Sequence, residues 1–137
     1  MIVDTNILVR CIRGRAAERV SRLLAGNVSL MVAHHNVAEC ISVLMRVFGL
    51  DGATAFSETM ELLEPFEIVD SDQYEDLRDS ADRRLRSGGK SDWPVLATAM
   101  VLDGDIWSED VDFFGTGVAV WSSHNVLECT NDKGSAR

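Results

Sequence analysis

The residues of this sequence best suited to chemistry are four carboxylates that stand where one chain element hands over to the next. Asp4 ends the short apolar run Met1-Ile2-Val3 and is followed by Thr5 and Asn6, whose side-chain oxygens suit a helix N-terminus. Glu39 lies early in an amphipathic segment, Asp92 follows Ser91 at the head of an apolar one, and Asp110 comes just after Ile106-Trp107-Ser108. Singly, each acid is explained by capping and by the helix dipole, which favours negative charge in a first turn. Gathered in one place the four would repel, and staying ionised near neutral pH would need a cation among them. Hard divalent ions such as Mg²⁺ and Mn²⁺ take carboxylate and water oxygens, and an all-acid site without imidazole or thiolate fits them. The corresponding chemistry is metal-assisted phosphodiester hydrolysis, with an acidified water as nucleophile and no side-chain nucleophile.

Whether the acids meet depends on the elements that carry them. Strand candidates are 1–3, 28–33, 66–69, 106–108 and 118–121. The first strand leads directly into a helix. Further helices are expected over Ala16 to Ala25 before Gly26, from an Asn36 cap to Phe48, and from an Asp51 cap until Pro65. Another runs from a Ser71 cap along Tyr74, Leu77, Ala81 and Leu85 until Gly88-Gly89. Ser91 opens the last, with Pro94 in its first turn and an apolar run from Val95 to Leu102 that reads as largely buried. Strands alternating with helices imply a three-layer α/β/α sandwich around a central, mostly parallel sheet. In such a fold strand C-termini and helix N-termini share one edge, where ligands bind. Topology alone therefore sends Asp4, Glu39, Asp92 and Asp110 to the same edge.

The chain has 137 residues, 46% of them apolar, which fits one domain with a real core. No apolar run approaches the roughly 18 residues of a membrane span and no basic region precedes the N-terminal apolar stretch, so a cytoplasmic protein with no membrane partner is expected. Cys11, Cys40 and Cys129 form neither a disulfide framework nor a zinc pattern and read as buried thiols. A net charge of −9 argues against nucleic acid at first sight. Its distribution is uneven: Arg10, Arg13, Arg15, Arg19 and Arg22 make one basic stretch, and Arg83, Arg84, Arg86 and Lys90 make another just before Asp92. The second stretch is a candidate for holding an RNA backbone, against the simpler reading of a solvated helix face.

Val3-Asp4-Thr5-Asn6, Glu39, Asp92 ahead of an alanine-containing apolar helix, and Trp107-Ser108-Glu109-Asp110-Val111-Asp112-Phe113 together resemble the motifs of PIN-domain ribonucleases, particularly VapC-type toxins of toxin–antitoxin pairs. The resemblance spans essentially the whole chain: residues 1–129 as a single PIN-like nuclease domain, and 130–137 as a polar C-terminal tail. It implies that Asp4, Glu39, Asp92 and Asp110 bind metal, with Asp112 as a further ligand or a support to one. It also implies that Thr5, Asn6 and Ser108 orient water or substrate, and that Mg²⁺ or Mn²⁺ is the cofactor. An RNA substrate, a cognate antitoxin and a homodimer belong to the same implication. The sequence departs from the family at His34-His35, which reads as ordinary loop histidines or as a substrate contact or altered metal preference. It departs again at Trp93-Pro94, where a small residue is common. Trp107 and Trp121 read as core residues because both fall in strands.

Three other readings compete. A haloacid-dehalogenase phosphatase needs a second acid two residues after the first, and position 6 is Asn. A receiver domain needs paired acids and a central phosphoacceptor, and neither can be placed. No glycine-rich nucleotide-binding motif occurs. The alternatives that survive are a catalytically inactive domain of the same fold, serving as an RNA-binding or protein-interaction module, and a non-toxin RNA-processing nuclease.

Overall fold

The computed structural model describes residues 1–86 and 90–130. Its centre is β1 (Ile2–Val3), flanked by β2 (Met31–Ala33) and β4 (Ile106–Trp107), with β3 (Glu67–Val69) and β5 (Val120–Trp121) at the edges. The order is β3-β2-β1-β4-β5 and every pairing is parallel. Parallel strands must be joined by crossovers, and here helices cover both faces.

Strand alternation divides the core. Val3, Val32 and Trp107 point into one hydrophobic layer, whereas Ile2, Ala33 and Ile106 point into the other. The first layer is covered by α1 (Thr5–Arg13), α2 (Ala17–Ala25), α3 (His34–Arg46) and α4 (Gly52–Leu63). The second is covered by α5 (Arg78–Arg84) and α6 (Trp93–Leu102), with Tyr74 and Phe113 fully buried among them. The three cysteines are buried, and desolvation pushes the Cys11 thiol up to about 12. Among the described residues, no helix is long and apolar enough to cross a membrane.

Several elements differ from the sequence expectation. The second strand begins at Met31, since Val28 and Leu30 are buried from an irregular segment that follows Asn27 at φ 63°. The third helix begins at His34. Asn36 is therefore a buried residue inside its first turn and not a cap. Between β3 and α5 the single helix expected from Ser71 is broken into two 3₁₀ turns, Ser71–Gln73 and Glu75–Leu77, followed by the short α5. Tyr74, Leu77, Ala81 and Leu85 still turn inward, which is what their spacing recorded. The expected Gly88-Gly89 stop lies outside the described residues. At the last helix, Asp92 occupies the N-cap and Pro94 the first turn, where its missing N–H costs nothing.

Candidate functional site

The site starts from β1. Asp4 follows its last residue, and its backbone N–H donates to the Trp107 carbonyl at 3.0 Å, so the sheet itself fixes the carboxylate. Asp4 is also the N-cap of α1: its Oδ1 accepts from the Thr5 N–H at 2.8 Å. The capping expected of Thr5 and Asn6 is thus done by the acid, and these two are the first residues of the helix proper. Thr5 Oγ1 accepts from Asn36 Nδ2 at 2.8 Å, which ties α1 to α3 beneath the site.

Ser108 closes the other side. Its hydroxyl donates to Asp4 Oδ2 at 2.6 Å and accepts from the Asp110 N–H at 2.9 Å. Asn6 Nδ2 lies 3.5 Å from the same hydroxyl oxygen. Asp110 in turn caps the 3₁₀ turn Val111–Phe113, its Oδ1 accepting from the Asp112 N–H at 2.9 Å. The neighbouring Glu109 is engaged elsewhere, accepting from the Ser123 N–H at 2.6 Å.

Carboxylate oxygens of Asp4, Asp92 and Asp110 lie within 4.8 Å of one another. Such crowding, in a partly dry place, shows in the protonation equilibria. Burial, opposed by the Ser108 and Thr5 hydrogen bonds and reinforced by the charges of Glu39 and Asp110, pushes the Asp4 carboxyl up to about 6. Burial first, then Asp110 and Asp4, push Asp92 up to about 8. Without a counter-charge the cluster retains a proton at neutral pH, on Asp92. The donor set consists only of oxygens, and the buried Asn6 Oδ1 has no hydrogen-bond partner among the described residues. Both features fit a hard, hydrated cation such as Mg²⁺ or Mn²⁺.

The other expected site residues divide. Glu39, in the second turn of α3 because the helix starts early, lines the same cleft of about 450 Å³ but stands outside the tight group of three. Asp112 also stands outside it, near enough for its charge to raise Asp92. Of the basic stretch, Arg84 does not border the acids as its sequence position implied. Arg84 donates to the Thr116 carbonyl at 3.1 Å and lines a cleft with Asp103 and Asp105, which precede β4 and so mark the opposite sheet edge. Arg83 and Arg86 are exposed, with Arg83 reaching Ser80 Oγ at 3.3 Å. The Lys90 side chain lies outside what is described. Trp107 is fully buried, donating from Nε1 to Ser123 Oγ at 3.1 Å, and Trp121 donates to Asp105 Oδ2 at 2.9 Å.

Sequence reasoning missed Arg10, Val9, Val43 and Phe48, which complete the cleft wall. Arg10 and Phe48 were visible as a basic and an apolar residue, but only the contact of α1 with the end of α3 puts them at the acids.

A parallel α/β sandwich with three convergent aspartates at the carboxyl edge of its sheet defines the class of protein. A family model described as PIN domain matches residues 2–130, and the chain belongs to that family. No curated protein matches it significantly. Among solved structures it is similar to VapBC2 from Rickettsia felis bound to a DNA fragment from their promoter, at 18% identity and TM-score 0.67, covering 88% of this chain and 96% of that one. It is similar to FitAcB from Neisseria gonorrhoeae at 20% identity and TM-score 0.68, covering 91% and 99%. A toxin–antitoxin complex from Klebsiella pneumoniae matches at 21% identity and TM-score 0.61, covering 89% and 96%.

Proposed function

We propose that this protein is a divalent-cation-dependent endoribonuclease and the toxin of a toxin–antitoxin pair. The observation that carries the nuclease reading is the convergence of Asp4, Asp92 and Asp110, whose oxygens lie within 4.8 Å of one another. Asp4, Asp92 and Asp110 would hold Mg²⁺ or Mn²⁺, with Glu39 and Asp112 at the margin of the same cluster. When bound, the cation supplies an acidified water and charge neutralisation at the scissile phosphate. The chain's own contribution is rigidity. Ser108 holds Asp4 and Asp110 together, Asn6, which lines the cleft, has an unpartnered Oδ1 that could accept from a water, and Arg10 offers a positive charge at the cleft wall.

The toxin role is supported by membership of the PIN family and by structural similarity to VapBC2 from Rickettsia felis and to a toxin–antitoxin complex from Klebsiella pneumoniae. A protein antitoxin and a homodimer accompany this reading. An RNA-processing nuclease would have the same site but no co-purifying inhibitor.

The test is cleavage of RNA by wild type and Asp4→Asn in Mg²⁺ or Mn²⁺, with and without chelator. Wild type is expected to cut only with metal, and the variant to lose more than about 100-fold. A wild type that cleaves no RNA, or a variant equal to it, removes the nuclease reading. Growth arrest on expression, relieved by the product of an adjoining reading frame, supports the toxin role; an unaffected culture counts against it.

A further inference from the structure

The acid cleft leaves one neighbouring group without a task. His35, the second residue of α3, lies one helical turn before Glu39 on the same face. Its ring meets Trp93, the residue after Asp92, edge-on with centroids 5.0 Å apart. His35 thus touches the chain neighbour of one acid and lies one helical turn from another. Fully buried Tyr74 fixes it, since the Tyr74 hydroxyl accepts from the His35 backbone N–H at 3.2 Å and bonds the ring Nδ1. A phenol oxygen already accepting an N–H still has its own proton to donate, and among the described residues only His35 is there to take it. That proton goes to Nδ1, which leaves the ring hydrogen on Nε2. His35 is exposed.

Trp93 is only 7% exposed, so it is a brace and not a stacking platform. Trp93 also packs on Tyr74, with centroids 5.7 Å apart, and meets Arg78, whose Cζ lies 4.9 Å from the indole centroid. The Arg78 side chain is 62% exposed, and its 3.9 Å contact with Asp82 is a weak surface pair. Two exposed N–H donors therefore flank one tryptophan beside Asp92. On a chain of net charge −9, a polyanion must find its attraction locally. The Arg84 guanidinium, which the sequence offered for this purpose, is turned to the opposite sheet edge.

We propose that His35 and Arg78, braced on Trp93 and Tyr74, form a subsite for an RNA backbone phosphate next to the phosphodiester held in the acid cleft. The proposal rests on the nuclease reading. It assigns the strand a direction of exit, from the aspartates over the N-terminus of α3.

Two measurements test it: steady-state cleavage in Mn²⁺, and fluorescence anisotropy of a short labelled single-stranded RNA in an Asp4→Asn background that does not cleave. His35→Ala and Arg78→Ala are each expected to raise KM and weaken RNA affinity roughly tenfold, with kcat changed by less than about twofold. Arg78→Ala should also flatten the logarithmic salt dependence by about 0.7. His35→Gln keeps an N–H donor and should recover part of the loss. Unchanged KM and affinity in both alanine variants, or a loss confined to kcat, overturns the subsite. Arg78 is exposed, so its variant answers even if His35→Ala folds poorly. If wild type cleaves nothing, the nuclease reading fails by itself. The binding arm then still decides: weakened RNA affinity supports the subsite and unchanged affinity overturns it.

Discussion

At the scale of single residues, one hydroxyl holds most of the site together. Ser108 Oγ reaches Asp4 at 2.6 Å and receives the Asp110 N–H at 2.9 Å, so two of three clustered acids depend on it. Its hydrogen bond also lowers the Asp4 carboxyl against the upward push of burial. Ser108→Ala removes both restraints while preserving nearly the same volume in a position that is 3% exposed. We expect folding stability to fall by only about 1 kcal/mol, whereas Mn²⁺ affinity and cleavage fall by about 10–100-fold. Titration calorimetry with Mn²⁺ separates the two. Equal metal affinity in variant and wild type would show that Ser108 is merely a loop tie.

At the scale of elements, legibility followed how much each signal depended on distant partners. The last helix was plain because Val95 to Ala99 are buried all round and Pro94 marks its start. Asp4, Asp92 and Asp110 were legible because chain reversal at strand ends is a local event and parallel topology then brings those ends together. What was not legible depended on tertiary contact. Asn36 resembles a cap in sequence, but its amide is drawn into the core by Thr5. The 71–85 segment has helical spacing, yet Tyr74 must turn its hydroxyl to His35, and the helix gives way to 3₁₀ turns. Arg84 could not be placed without knowing that Thr116 lies opposite it. The end of α6 offers a direct check on local chemistry. Asp103 sits there in the left-handed region at φ 51° and ψ 47°, a conformation that glycine adopts without a Cβ penalty. Asp103→Gly is expected to stabilise the fold by up to about 1 kcal/mol, and Asp103→Val to destabilise it by about 1–2 kcal/mol. Urea denaturation measures both, and a stabilising valine would contradict the cap assignment.

At the scale of the whole molecule, the cluster works against the stability of the fold that displays it. Asp4 and Asp92 have carboxyls pushed up to about 6 and about 8 from the usual 3.8, chiefly by burial, with Glu39 and Asp110 adding to it at Asp4 and Asp110 and Asp4 at Asp92. Between the usual value and the raised ones, the folded protein binds more protons than the unfolded chain. Stability from these groups is therefore complete below about 3.8 and is lost as pH rises through about 6 and then about 8. Ordinary surface carboxylates are already ionised over the upper part of this range, so their mutual repulsion adds little further slope there. In chelator, Tm should fall as pH rises from about 6 to about 8. Asp92→Asn should remove most of that fall, because Asp4 has given up much of its proton by about 6 and the amide has none to lose. Saturating Mg²⁺ or Mn²⁺ should raise Tm most at the alkaline end, since a cation binds the ionised carboxylates and competes with their protons. Differential scanning fluorimetry across this range, with and without metal, reads all three effects. A chelated protein with a flat Tm profile, or a metal effect independent of pH, would mean that the three aspartates do not share charge as their spacing requires.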